Sequence, residues 1–317
     1  MRALIVESPG SAPAIADIPA PTAAPGTVLI AVKAAGLNAI DAGIAAGYLA
    51  EMIPHEYPVG LGRDAAGVVL AVGDGVEGIA VGDEVVGHLP AWPAVSAGTI
   101  AEQAVVPAAM LSPKPSALSW EQAAAVPLAG ATALQAVTGL EAQPGQTVLV
   151  SGATGGVGGY AVQLLAAEGV TVIATGTPTD AEKLVALGAS HVVDYTAGDV
   201  AGQVRAIVPD GVDGLIELAN HDPSQAPLSA VRAGGVVAAT TGVMQAGEAV
   251  EAAGLRLFPV MAAATSENVA PLLARAADDE LRIDLTEVLP FDRAVEGLAG
   301  YAPGGSARGK TVVRVAG

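Results

Sequence analysis

Five glycines crowd the run Gly152-Ala153-Thr154-Gly155-Gly156-Val157-Gly158-Gly159. The run follows the apolar stretch Val148-Leu149-Val150-Ser151 and opens an amphipathic helical segment. A strand, a glycine turn and a helix in that order aim backbone N–H groups and a helix N-terminus at a pyrophosphate. Glycine suits the turn because phosphate oxygens must approach the backbone and the helix must pack closely on the sheet. The spacing is Gly-x-x-Gly-x-x-Gly at 152, 155 and 158, rather than the usual Gly-x-Gly-x-x-Gly. Alone, such a triplet also describes an ordinary tight turn. The strand–helix alternation on both sides favours phosphate binding, so Gly152, Gly155, Gly156, Val157 and Gly158 are the candidate cradle.

The same glycines fit Gly-x-x-x-Gly-x-Gly at 152, 156 and 158, the opening of short-chain dehydrogenases. Those enzymes need a Tyr-x-x-x-Lys pair, in which the lysine lowers the pKa of a catalytic phenol. Four residues after Tyr48, Tyr57, Tyr160, Tyr195 and Tyr301 stand Met52, Leu61, Leu164, Asp199 and Gly305, so that chemistry is excluded. The second strand ends in Ala174-Thr175-Gly176-Thr177. An NAD site usually carries Asp or Glu there for the ribose 2′-hydroxyl. Thr175 and Thr177 leave room for a 2′-phosphate, and Lys183 on the next helix adds a positive charge. Asp180 argues the other way. The expectation is NADPH ahead of NADH.

Around this turn the chain alternates. Strands are expected at Thr147–Ser151, Val170–Ala174, His191–Asp194, Gly214–Leu218 and Val236–Thr240. Helices are expected at Gly156–Glu168, Asp180–Leu187, Val200–Val208 and Ser224–Arg232. Short, almost continuously apolar strands separated by helices predict a parallel sheet covered on both faces. The first third differs. Arg2–Glu7, Thr27–Ala35, Asp64–Val72, Asp83–Val86 and Ala101–Val106 read as strands divided by Gly, Pro and Asp, with one short helix near Ala39–Gly47. That pattern predicts a mostly antiparallel barrel. Ser119-Trp120-Glu121-Gln122 opens a helix with an N-cap, and Leu128–Thr138 forms another. The tail returns to a helix, a strand marked by Leu289-Pro290, a helix and a last strand, Thr311–Val315, which is expected to rejoin the first domain.

The 317 residues suit two domains, and 52 % hydrophobic against 15 % charged residues argues for a well-buried globular protein rather than disorder. The absence of cysteine removes disulfides, thiolate nucleophiles and every Cys-ligated metal site. His55, His88, His191 and His221 show no ligand spacing and are expected at surface or loop positions. A formal charge of −18 disfavours nucleic-acid and anionic-lipid partners. No apolar run reaches membrane-spanning length, and the N-terminus lacks a signal-peptide pattern, so a cytoplasmic location is expected.

Several further segments occur in a recognisable order. They are Gly36-Leu37-Asn38-Ala39-Ile40-Asp41, Gly62-Arg63-Asp64-Ala65-Ala66-Gly67-Val68-Val69, Val81-Gly82-Asp83-Glu84-Val85 and Ala124-Ala125-Val126-Pro127. Gly130-Ala131-Thr132-Ala133, Gly155-Gly156-Val157-Gly158, Leu187-Gly188-Ala189, Gly234-Gly235 and Arg308-Gly309-Lys310-Thr311-Val312-Val313 follow. The ordered set resembles the medium-chain dehydrogenase/reductase superfamily, in particular its zinc-independent quinone oxidoreductases. The resemblance implies an α/β protein with a GroES-like β-barrel catalytic domain, residues 1–120 and 263–317, and a Rossmann-type doubly wound parallel sheet, residues 121–262. It also implies a homodimer. The zinc-dependent branch carries Cys where this chain has Leu37 or Asn38, and Gly-His-Glu where it has Gly62-Arg63-Asp64. No zinc is therefore expected, and Arg63 with Asp64 is expected to form an internal ion pair in that place.

Without a metal to polarise a carbonyl, hydride transfer depends on holding the nicotinamide against an already electrophilic small molecule, such as a quinone or an α,β-unsaturated carbonyl. Asn38 resembles the family residue beside the nicotinamide, although an Asn capping the following helix would look the same. Tyr48 is a candidate proton donor, with packing as its plainer role. By the same resemblance Thr132 contacts the nicotinamide end and Tyr195 stacks near the adenosine. Thr241 ends a strand of the parallel sheet and is expected to line the nicotinamide ribose. Arg308 and Lys310 are candidates to reach the cofactor cleft, with solvated terminal charges as their plainer role. Two alternatives stand beside this reading: an enoyl-thioester or polyketide enoyl reductase, and a non-catalytic, crystallin-like nucleotide-binding protein.

Overall fold

The computed structural model describes residues 1–240, 242–302 and 307–315. The chain divides into two compact units, Met1–Ala129 with Ala263–Gly317, and Gly130–Ala262.

The first unit is built on the ten-residue strand Thr27–Gly36. Its first residues alternate buried and half-buried, with Val28, Ile30 and Val32 on the core side, as the period-two geometry of a strand requires. One edge pairs antiparallel with Asp64–Val72, which continues through Glu84–His88 to Leu111–Pro113. The other edge pairs with Gln103–Pro107 along its first half and with Lys310–Arg314 at its end. The last strand thus rejoins the first unit, as expected. Leu285–Pro290 adds a parallel neighbour to it. A small sheet of Ala14–Asp17, Arg2–Val6 and Val59–Gly60 completes the strands of this unit.

At its end the Thr27–Gly36 strand is buried on both faces. A Cβ on Gly36 would stand 2.2 Å from the carbonyl oxygen of Ala124, so glycine permits the helix Trp120–Ala124 to lie against the strand. That helix starts with a complete capping box. The Gln122 N–H donates to Ser119 Oγ at 3.1 Å and the Ser119 N–H donates to Gln122 Oε1 at 2.9 Å.

The second unit is a six-stranded, wholly parallel sheet in the order His191–Asp194, Thr171–Gly176, Thr147–Ser151, Val212–Glu217, Val231–Ala239, Arg256–Pro259. The order steps outward from the glycine-turn strand in one direction and then in the other, the doubly wound arrangement whose switch point lies at that first strand. Leu149, Ile173, Leu215 and Val237 form the middle of its core, each fully buried and contributing about 2 kcal/mol of hydrophobic stabilisation. One expected element is absent. Ser224–Arg232 is not a helix but two single 3-10 turns, Pro223–Gln225 and Leu228–Ala230, followed by a strand that begins at Val231. Pro223 and Pro227 each lack an N–H and disfavour helix at the preceding residue, which outweighs the local propensity.

Candidate active site

Within the second unit, the strand Thr147–Ser151 runs into Gly152 at φ +80°, the left-handed region, and the Gly155 N–H closes the turn on the Gly152 oxygen at 3.1 Å. Gly155 is the N-cap of the helix Gly156–Ala167 and offers no capping side chain. The first N–H to bond back four residues is that of Gly159, to Gly155. The N–H groups of Gly156, Val157 and Gly158 therefore face outward at the positive end of the helix dipole. The glycines differ in what demands them. A Cβ on Gly158 would lie 2.2 Å from the Gly152 oxygen and 2.6 Å from Ala153 Cα, so internal packing alone requires glycine there. A Cβ on Gly155 would meet nothing closer than 3.4 Å, at an ordinary φ of −80°. Among the described residues no contact requires glycine at 155, and its missing side chain leaves room there for a ligand phosphate. The turn fits the diphosphate of a dinucleotide.

The surrounding residues sort into supports and lining. Thr175 is buried, and its hydroxyl accepts the Gly152 N–H at 3.0 Å, so it holds the turn from beneath. The Thr177 N–H and hydroxyl both donate to Asp180 Oδ2, at 2.8 and 2.6 Å, which commits that carboxylate to the cap of the next helix. Lys183, half-buried, lies on that helix, Ala181–Ala186. Tyr195 follows the His191–Asp194 strand with its ring about half exposed. Thr132 is buried in the helix Pro127–Leu140. Thr241 lies outside the described residues. Glu217 was not anticipated. Fully buried at the end of its strand, it accepts from Ser151 Oγ at 2.9 Å and from the Ala219 and Asn220 N–H groups at 2.8 and 2.9 Å. It thereby fixes the loop whose Leu218 and Ala219 back Gly152. A charged residue closing the apolar run Gly214-Leu215-Ile216 was the available signal.

The first unit buries a second group of polar residues. Asn38 stands at the N-cap of the helix Ala39–Ala45, and its backbone N–H donates to Asp41 Oδ2 at 2.8 Å. Both ends of its amide have other partners. Nδ2 donates to Asp64 Oδ2 at 2.8 Å, and Oδ1 accepts from Lys310 Nζ at 2.6 Å. Lys310 also donates to the Leu37 carbonyl at 2.6 Å and is only 2 % exposed, so it is no solvated terminal charge. Arg308, two residues earlier, is exposed. Asp64 further accepts from His88 Nδ1 at 2.8 Å and from the Leu128 N–H, and its own carbonyl accepts from Thr99 Oγ1. Tyr48, 65 % exposed, lies in the turn after the helix Ala39–Ala45 and is not a member of this group of bonds.

Two expectations need correction here. Arg63 and Asp64 do not form an ion pair. Asp64 begins a strand, and successive side chains on extended backbone point to opposite sides. Arg63 instead donates through Nη2 to the carbonyls of Gly60 (2.8 Å) and Ala97, leaving Nε without a partner among the described residues. His88 is not a surface residue but is buried on the strand Glu84–His88, where it faces Asp64 across the ladder. Burial lowers the Arg63 pKa, and it pushes Asp41 up to about 6 against the opposing pull of Arg63 and of the Asn38 N–H. Asp41 Oδ1 also lacks a hydrogen-bond partner among the described residues. The residues at the zinc-branch positions do not suit zinc. Asn38 and Asp64 bond each other, Arg63 brings a guanidinium, and among the described residues no three His, Asp or Glu side chains are grouped to hold a metal ion.

Two family models match the chain. The alcohol dehydrogenase GroES-like domain covers residues 24–116, and the zinc-binding dehydrogenase domain covers residues 156–267. In three dimensions the chain is similar to the quinone oxidoreductase from Coxiella burnetii, at a TM-score of 0.87 and 29 % identity, covering 100 % of this chain and 99 % of that one. The chain belongs to the medium-chain dehydrogenase/reductase superfamily, in its quinone oxidoreductase-like branch. It is 35 % identical over 215 residues to the mitochondrial NAD(P)H oxidoreductase RTN4IP1 of Mus musculus, a match to 61 % of this chain and 54 % of that protein. It is also 44 % identical over 190 residues, 58 % of this chain, to 3 % of the polyketide synthase GfsB of Streptomyces halstedii. The chain thus spans about half the length of the first of these relatives and a small part of the second. In this superfamily the two units are a GroES-like domain and a Rossmann-type domain.

Proposed function

We propose that the protein is an NADPH-dependent, zinc-free oxidoreductase acting on a quinone or an α,β-unsaturated carbonyl. The observation that carries the reading is Gly155, a glycine without an internal reason, at the open N-terminus of a twelve-residue helix. The bound nicotinamide would supply a hydride to the electron-poor carbon of the acceptor. The chain's own residues do the holding. N–H groups of Gly156, Val157 and Gly158 receive the diphosphate, and Thr175 and Glu217 keep the turn from shifting. Asp180 is occupied by Thr177, which removes the carboxylate that would favour a ribose 2′-hydroxyl and supports NADPH with Lys183 beside it. Asn38 is the polar group for the reacting end, and the charge formed on the acceptor oxygen collects its proton from water or a weak acid.

Fluorescence titration tests this directly. NADPH should bind about tenfold or more tightly than NADH, and Lys183→Ala should narrow that ratio. Failure of both nucleotides to bind would end the proposal. The similarity to a polyketide synthase segment favours one second reading, an enoyl-thioester acceptor. NADPH oxidation with 1,4-quinones, enones and an enoyl-CoA in parallel separates the two, and no turnover with any of them would leave the crystallin-like role. The protein is further proposed to form a homodimer, supported by the strand Arg256–Pro259, whose outer edge has no neighbour among the described strands. Light scattering on the eluted protein reads that directly.

A further inference from the structure

A buried asparagine amide normally has two orientations of similar cost, because oxygen and nitrogen are alike in size. At Asn38 they are not alike in surroundings. The oxygen receives an ammonium, Lys310 Nζ, at 2.6 Å, and the nitrogen faces a carboxylate, Asp64 Oδ2, at 2.8 Å. Turning the amide over would set N–H against ammonium and oxygen against carboxylate, two repulsions in a site where Asn38, Asp64 and Lys310 are all buried. Both charged groups are themselves fixed. Asp64 is held by His88 Nδ1 and the Leu128 N–H, and Lys310 by the Leu37 carbonyl. The register is set beside it, where the Leu37 N–H donates to the Thr311 carbonyl at 3.0 Å.

We propose that Lys310 and Asp64 are positioning residues that lock the Asn38 amide in one orientation, so that Asn38 meets its ligand as a hydrogen-bond donor to a carbonyl-type oxygen. With a cation on its oxygen the amide is polarised, and its N–H groups become stronger donors. Apart from Asp64, the amide nitrogen has among the described residues only the Gly36 carbonyl, at 3.5 Å, the outer limit of a hydrogen bond. The second amide hydrogen is thus the group left to offer, and it selects an acceptor oxygen rather than an N–H. His88 belongs to the same chain of contacts, one step behind Asp64. That the oxygen belongs to the hydride acceptor or to the nicotinamide carboxamide rests on the function proposed above; the lock itself does not.

The test has two independent arms. In the first, the side-chain amide of Asn38 is followed by NMR in ¹⁵N-asparagine-labelled protein without any ligand. A single pair of slowly exchanging hydrogens is expected, and Lys310→Met should shift both signals and speed their exchange roughly tenfold or more. Fast exchange or two interconverting signals in the unmodified protein would overturn the lock, whether or not Lys310→Met folds. In the second arm, Lys310→Met should lower kcat by roughly tenfold or more while the Kd for NADPH changes less than about twofold. Lys310→Arg, which keeps a cation on the oxygen, should recover part of the loss. An unchanged kcat in folded Lys310→Met overturns the positioning role. Absence of turnover in the unmodified protein counts against the proposed function, while the NMR arm still decides the lock.

Discussion

The glycine turn and the buried polar group around Asn38 solve opposite problems with opposite materials. The turn is nearly all backbone. Its N–H groups point outward, and its glycines remove side chains so that a ligand and a helix can come close. The Asn38 group is nearly all side chain, with charges inside the protein satisfied by one another and by carbonyls. A site made of backbone tolerates almost any neighbour that leaves the space empty. One made of buried charges fails when any member is removed, because the others stay behind without partners.

Substitutions can break this contrast, and the largest effect is expected at Gly158. Gly158→Ala places a methyl 2.2 Å from the Gly152 oxygen, so it should cost on the order of 3 kcal/mol in urea unfolding and abolish NADPH binding together. Gly155→Ala should separate the two properties, changing stability by less than about 1 kcal/mol while weakening NADPH about tenfold. Equal losses at both positions would remove the distinction between a packing glycine and a ligand glycine.

In the other region, Asp64→Ala strips a partner from Asn38, His88 and the Leu128 N–H, and should cost about 3 kcal/mol by chemical denaturation. The Asp41 carboxyl adds a pH signature. Its folded pKa is raised to about 6, above the ordinary 3.8, so the native state binds more protons than the unfolded chain between those values. Its contribution to stability is present below about pH 4 and is lost as pH rises through 6, by about 3 kcal/mol in all. Unfolding from pH 4 to 7 should show that decline in the difference between the natural protein and Asp41→Asn, which still accepts the Asn38 N–H. The smallest effect is expected at exposed Tyr48. Tyr48→Phe should leave stability within about 0.5 kcal/mol, and a large loss of kcat on its own would restore the phenol as a proton donor.

The backbone geometry of the glycine turn was readable in advance for a physical reason. Glycine spacing, apolar strands and alternation are local, and the parallel sheet follows from them. Where local reading failed, at Ser224–Arg232, the two prolines that decide the outcome lie within or beside the segment. The side-chain site was legible only as separate letters. Asn38 and Lys310 each stood out, but their bond joins residues 272 positions apart, and nothing in either neighbourhood announces it. Adjacency misled at Arg63 and Asp64, since neighbours on a strand diverge. His88 looked idle because a lone histidine in a short strand carries no spacing. The carboxylate that faces it across the ladder was the missing cue.

The closing strand Lys310–Arg314 has a consequence for how the molecule is made. It slots beside Thr27–Gly36, so the strands from the earlier part of the first unit wait for this interior neighbour until the whole second unit has been made. The parallel sheet between them has all its own strands much sooner and can mature as a unit in the interval. A nascent chain stalled before residue 310 would therefore hold a finished glycine turn and an incomplete first-unit sheet. In such a chain Asn38 would still lack its ammonium, and Ala34–Gly36 would present an unpaired strand edge.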